Sequence, residues 1–250
     1  MNRKDFLKKT LQVALAQNLK DVRENILTTP NLDQKVDVDN TVEVDDSPTE
    51  TGCPCCDVYD QTTPGGCFRC LAEAIQQVET GGLADDTIVG GVRGCNTCGD
   101  GGRSCGPHQI GKAYIRDACE ACPDYCAQFG GAQGVIDKIH NDCPQEAAPE
   151  GETDEERKKR IRDCCTLKVI IGEHLIGCYS KRYGELPGFS CKCKNKNPQG
   201  KECCSCEEIA KRHQGGYNGP CNDTPVRRRY WSKVKAIMSS KCPHCANCTG

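Results

Sequence analysis

Cysteine sets the chemistry open to this chain, which holds 24 cysteines in 250 residues. Many stand three apart: Cys53/Cys56, Cys67/Cys70, Cys95/Cys98, Cys119/Cys122, Cys203/Cys206, Cys242/Cys245 and Cys245/Cys248. Two such pairs supply the four thiolates of a tetrahedral zinc site. In an oxidising compartment the same residues cross-link the chain instead. Cysteines outside these pairs, including Cys105, Cys126, Cys143, Cys178 and Cys221, favour disulfides, as do the adjacent Cys55–Cys56, Cys164–Cys165 and Cys203–Cys204. The count is even, so every thiol can find a partner. Disulfides are therefore expected, with no resident cofactor or metal. If a metal is bound, the tail Cys242-Pro-His-Cys-Ala-Asn-Cys248 is its place; otherwise that tail forms two more bridges.

The elements that hold these residues have little else to bury. Hydrophobic residues make up 36% of the chain with cysteine included, and about 26% without it. There are four Phe and one Trp. Cross-links replace a large core here, each contributing about 2–4 kcal/mol by restricting the unfolded chain. Residues 1–29 read as an amphipathic helix: Phe6, Leu7, Leu11, Ala14, Leu15, Leu19, Val22, Ile26 and Leu27 recur at helical spacing. Such a stripe packs on its own protein or on a protein partner. Residues 30–52 form an acidic linker or pro-segment; from Asp33 to Asp60 there are nine acids and one base. The cysteine-rich domain spans 53–250, with helices expected at 68–79, 166–183, 206–214 and 227–239. Glycine-rich stretches at 81–106 and 186–200 read as loops or short strands. Residues 145–163 read as a surface insertion.

No apolar run is long enough to cross a membrane. The N-terminus has a basic start, but its apolar stretch is short and interrupted, a weak export signal. The sequons at Asn222 and Asn247 fit a secreted chain. From Lys192 to Lys241 there are twelve Lys or Arg against four acids. Such a region is either a solvated face or a surface drawn to an anionic polymer such as bacterial wall glycan. The net charge of −2 argues against nucleic acid as the main partner.

Four segments, in order, resemble the invertebrate-type lysozyme (destabilase) family. They are Cys67-Phe-Arg-Cys-Leu71, Ser104-Cys-Gly-Pro-His-Gln-Ile-Gly-Lys-Ala-Tyr114, Cys206-Glu-Glu-Ile-Ala-Lys-Arg-His-Gln-Gly-Gly-Tyr-Asn-Gly-Pro-Cys221 and Tyr230-Trp231. Tyr179-Ser-Lys-Arg-Tyr183 is a weaker match. The resemblance covers 65 to about 242, with an insertion at about 120–163. It implies a small α+β lysozyme-like fold, a helical part and short sheet flanking a sugar-binding cleft. It implies cleavage of the β-1,4 bond between N-acetylmuramic acid and N-acetylglucosamine in bacterial peptidoglycan, in an antibacterial or digestive setting outside the cell. Some members also split glutamyl–lysyl isopeptide bonds.

Such a glycosidase needs one protonated carboxyl as acid and one ionised carboxylate. Ile75 stands where the family has its acid, but Glu79-Thr-Gly-Gly82 looks like the family's Glu-Ser-Gly, one helical turn later. A four-residue step keeps the same helix face and moves about 6 Å along the axis. Glu79 is the expected acid, with Glu73 as second candidate. Gly99 stands where the family has its Asp, and the neighbouring Asp100 is the expected partner. The resemblance further implies that His108, Gln109, Ile110, Tyr114 and His213 line the substrate cleft. An isopeptidase would need Ser104 activated by His213 or His108. Because both carboxylates are off register, an inactive lysozyme-like scaffold used for binding is the alternative to an enzyme.

Overall fold

The computed structural model describes residues 67–144, 151–185, 191, 193, 195–196, 202–243 and 245. The expected helix 1–29, the linker 30–52 and the sequon at Asn247 lie outside the described residues. What is described is α+β: helices with three small antiparallel sheets among them.

Helix α1 (Cys67–Thr80) buries Cys67, Cys70, Leu71, Ala74 and Ile75 on one stripe. A hairpin of β1 (Ile88–Val89) and β2 (Val92–Arg93) follows. The central sheet has the order β3 (Cys98–Gly99), β4 (Ser104–Cys105), β5 (Ile110–Gly111), pairing Gly99 with Ser104 and Cys105 with Ile110. Then come α2 (Lys112–Ala121), α3 (Pro123–Ala127), α4 (Gly131–His140) and the long α5 (Asp154–Glu185). The last part holds β6 (Asn195–Lys196) paired with β7 (Glu202–Cys203), α6 (Cys206–Gly215) and α7 (Pro225–Lys241).

The four expected helices are α1, α5, α6 and α7, with one difference of substance. Helix α5 starts at Asp154, not near 166. Thr153 and Glu156 cap it reciprocally: the Glu156 carboxylate accepts from Thr153 N at 2.9 Å, and Thr153 Oγ1 accepts from Glu156 N at 3.3 Å. Pairs such as Arg157–Asp154 and Lys158–Glu155 then support its exposed first turns. Residues 120–163, expected as an insertion, supply α3, α4 and this start of α5. They bury Cys126, Val135, Ile136, Ile139 and Cys143, so the segment carries part of the core.

Three groups of buried residues result. Leu71, Ile75, Ile176, Ile209, Trp231, Val234 and Met238 pack α1, α5, α6 and α7 together. Ile110, Ile115, Val135, Ile139, Ile171, Leu175 and Tyr179 pack α2, α4 and α5 under β5. Val89, Cys95, Cys143 and Cys165 form a small third cluster.

Nine disulfides are present among the described residues, and Cys206 is also disulfide-bonded. The pairs Cys67/Cys70, Cys95/Cys98, Cys119/Cys122 and Cys242/Cys245 do not close on themselves. Cys67 and Cys70 join Cys245 and Cys242, so these two tail cysteines are bridges. Cys95 joins Cys165 and Cys98 joins Cys105; Cys119 joins Cys126 and Cys122 joins Cys178.

One carboxyl in this framework is charged at a cost. Burial pushes Glu173 on α5 up to about 7, with the Arg69 cation opposing and the Glu73 charge adding. The folded chain therefore holds this proton more tightly than the unfolded chain does. Stability from the protonated form is complete at low pH and is lost as pH rises from about 4.5 to about 7. Glu173→Gln should leave unfolding unchanged at pH 4 and stabilise the protein by up to about 3 kcal/mol at pH 8. Denaturant melts at the two pH values measure this, and equal midpoints at pH 8 would contradict it.

Candidate active site

The site forms where the C-terminal end of α1 meets α6, α7 and the β3–β4 turn. Ile75, at the family's acid position, is fully buried in the first core group. A carboxyl there would sit among Leu71, Trp231 and Val234 with little access to a substrate. One turn on, Glu79 leaves the edge of that core with its side chain 22% exposed. Its Oε1 accepts a hydrogen bond from the Tyr230 hydroxyl at 2.8 Å. Burial raises the Glu79 pKa, the Tyr230 hydrogen bond opposes that rise, and the Asp100 charge adds to it. With Oε1 accepting from Tyr230, the proton of the neutral acid belongs on Oε2.

His213 on α6 lies beside this carboxyl, its Nε2 3.6 Å from Glu79 Oε1. The contact is not an ion pair at neutral pH, because burial holds the His213 pKa down to about 4. The same Nε2 lies 3.1 Å from the His108 carbonyl oxygen. The neutral ring therefore carries its proton on Nε2 and donates it there.

Asp100 sits at the tip of the β3–β4 turn, exposed, with a left-handed φ of 50°. Gly101 and Gly102 continue that conformation, with φ of 66° and 88°. Asp tolerates such a backbone better than most residues. Gly99 precedes it for a reason visible in its surroundings. A Cβ at Gly99 would stand 2.8 Å from Gln109 Oε1, which accepts from Gly99 N at 2.8 Å. Gln109 Nε2 also donates to the carbonyls of Thr97 and Gly106. An Asp at 99 would disturb that brace, whereas 100 points its side chain from the turn into water.

The expected cleft residues fall into two groups. His213 borders Glu79, as described. Gln109 is committed to the backbone of the β3–β4–β5 sheet. Ile110 and His108, each 1% exposed, are buried, which corrects their assignment to the cleft wall. His108 packs on α5 where a Cβ on Gly172 would lie 2.3 Å from its Nδ1, and burial lowers its pKa to about 3. The Tyr114 ring is stacked on Tyr179 at 3.7 Å between centroids and edge-on to His213 at 5.6 Å. That ring supports His213 from behind; its Tyr179 side is closed to a sugar. Glu73, the second acid candidate, pairs with Arg69 at 3.4 Å on an exposed face of α1. For the isopeptidase arrangement, His213 Nε2 is engaged by the His108 carbonyl, and among the described residues no hydrogen bond joins Ser104 to His213 or His108.

Tyr230 is the site residue that sequence reasoning did not assign. Its signal was its neighbour: Trp231 is 7% exposed in the core, so the adjacent residue on α7 emerges at the core's edge. Tyr230→Phe removes the bond that holds the Glu79 pKa down. Activity that needs protonated Glu79 declines as pH rises through that pKa, so the variant's alkaline limb should move to higher pH. A pH–rate profile of the two proteins reads this directly, and an unmoved or acid-shifted limb would contradict it.

No family model, no curated protein and no solved structure matches this chain.

Proposed function

We propose that this protein is a lysozyme-like glycan hydrolase, cleaving the β-1,4 bond between N-acetylmuramic acid and N-acetylglucosamine in bacterial peptidoglycan outside the cell. The reading rests on one observation: Glu79 is a half-sheltered carboxyl with a raised pKa, hydrogen-bonded among the described residues through Oε1, within the field of a solvated Asp100. That is the division of labour a glycosidase needs, one acid kept neutral by burial and one carboxylate kept wet. Glu79 Oε2 delivers the proton to the glycosidic oxygen as the C–O bond breaks. Asp100 stabilises the positive charge that develops on the sugar ring, and water completes the cleavage at the anomeric carbon.

Two further features support the setting. The disulfide framework suits an oxidising compartment. Helix α7 carries six Lys or Arg and no acid, with Arg228, Arg229 and Lys233 exposed, a face suited to an anionic wall.

The test is release of reducing ends from purified peptidoglycan by the full chain, from acid to neutral pH. Cleavage that is reduced in Asp100→Asn, whose side chain also tolerates the left-handed turn, supports the reading. Absence of cleavage at every pH would leave the lysozyme-like chain as a binding scaffold.

A further inference from the structure

A stack of tyrosines runs from behind the site out to solvent. It begins at Tyr114, edge-on to His213. Tyr114 lies on Tyr179 at 3.7 Å between centroids, and Tyr179 meets Tyr183 edge-on at 4.9 Å. Tyr183 is 5.6 Å from Tyr217, the two rings tilted by 30°. Tyr179 is 4% exposed, whereas Tyr217 is 49% exposed. Among the described residues Tyr217 is the one exposed aromatic ring.

A single exposed aromatic residue is ordinary; the way this one is held is not. The Tyr217 carbonyl accepts from Arg212 Nη1 at 2.7 Å, and the Tyr217 backbone N–H is hydrogen-bonded to the Tyr179 hydroxyl. Arg212 is fully buried, and its Nη2 donates to the Cys191 carbonyl at 3.0 Å. Cys191 is bridged to Cys221, four residues beyond Tyr217. Gly216 makes the entry to the turn at a left-handed φ of 71°. These bonds hold the backbone of residue 217, and none of them uses its ring. A buried guanidinium and a disulfide thus fix a surface turn that presents an aromatic face. Such preorganisation lowers the ordering cost of binding.

The groups beside the rings suit a sugar. The Tyr183 hydroxyl donates to Asp117 Oδ2 at 2.8 Å. Arg182 stands over the Tyr183 ring, pairs with Glu120, and lies 3.9 Å from Asp117 Oδ1. The Asp117 and Arg182 side chains are both partly open to water. A pyranose ring has C–H groups on its face and hydroxyls round its edge. The face packs on an aromatic ring, and the hydroxyls bond to carboxylate and guanidinium. Arg182 is already matched by two carboxylates, which disfavours a phosphate or the carboxyl-bearing branch of N-acetylmuramic acid. The neutral N-acetylglucosamine ring fits better.

The place is within reach of the proposed acid. Tyr217 follows His213 by four residues, so their Cα atoms are at most about 14 Å apart, and His213 Nε2 is 3.6 Å from Glu79. A short oligosaccharide spans that distance. We propose that Tyr217 and Tyr183, with Asp117 and Arg182 at their edge, form an outlying subsite that takes an N-acetylglucosamine ring of the glycan chain. The subsite rests on the glycan reading given above, and it concerns binding rather than cleavage.

Calorimetric titration of the full chain with chitohexaose, a β-1,4 oligomer of N-acetylglucosamine, tests this. Tyr217→Ala should weaken binding by about tenfold, and Tyr217→Trp should retain it. Should Tyr217→Ala not fold, the ring signals of the wild type in an NMR titration decide: the oligomer should shift those of Tyr217 and Tyr183 most. Binding that depends on Tyr217, without any cleavage of peptidoglycan, would uphold the subsite and remove the hydrolase. Equal binding by Tyr217→Ala and the wild type, or no binding by the wild type, would overturn the subsite whatever the cleavage assay shows.

Discussion

Glu79→Gln is expected to slow peptidoglycan cleavage by about 10²–10⁴-fold and, at neutral pH, to make the protein more stable. The loss follows from the proton: a Gln amide keeps the shape and still accepts from Tyr230, but cannot protonate a leaving oxygen. The gain follows from the direction of the pKa shift. Burial raises Glu79 above its ordinary value near 4.5. The folded protein therefore favours the protonated form, whose stabilisation is complete at low pH and lost as pH rises through the folded value. Above that ordinary value the unfolded wild type gives up this proton more readily than the folded one, and the Gln variant has no such proton to lose. The two proteins should melt alike below pH 4.5 and diverge above it, the variant higher. Activity assays and thermal melts on the same samples separate the cases. A variant that stays active removes Glu79 as the acid. A variant that is inactive and also less stable at neutral pH would mean that Glu79 holds the helix ends together.

Glu79 was legible in the sequence because the helical period is local: positions 75 and 79 share a face whatever the rest of the chain does. What surrounds it was not. Tyr230 is 151 residues away, and nothing local says that α7 returns to the end of α1. The reason for Gly99 was hidden for the same cause, since it lies in the Gln109 side chain across the sheet. Helices α2 and α4 were missed for a different reason. Their buried stripes, Ile115, Ala118 and Cys119 in one and Val135, Ile136 and Ile139 in the other, are short. The first counts a cysteine as a core residue, so a reading that reserves cysteine for cross-links finds too few apolar positions to define a helix. The disulfide partners could not be read either: Cys-x-x-Cys spacing suggests that the two cysteines act together, and Cys67, Cys70, Cys95, Cys98, Cys119 and Cys122 each send their bond elsewhere.

Removing both bridges between α1 and the tail should cost more than the sum of removing each. Cys67–Cys245 and Cys70–Cys242 fasten the start of α1 to the end of α7. With one of them intact, the other closes a loop of only roughly eight residues, worth about 2.5 kcal/mol in the chain-entropy account. With both absent, the long loop opens as well. The bridges Cys95–Cys165 and Cys191–Cys221 shorten its free path to at most roughly 80 residues, worth about 4 kcal/mol more. Cys67→Ala/Cys245→Ala and Cys70→Ala/Cys242→Ala should each cost about 2.5 kcal/mol, and the fourfold variant about 6.5, an excess of about 1.5. Against a total stability of about 5–15 kcal/mol, the fourfold variant approaches unfolding. The consequence reaches the site, because the two helices run antiparallel. The bridges hold one end of the pair, and the Tyr230–Glu79 hydrogen bond lies at the other, about 15 Å along the axes. Loosening the far end lets α7 slide and takes Tyr230 from Glu79. Either twofold variant that shifts the register should therefore reproduce the alkaline displacement of Tyr230→Phe. Urea titrations of the four proteins give the coupling directly. Additive losses would show that the two bridges do not act as one staple.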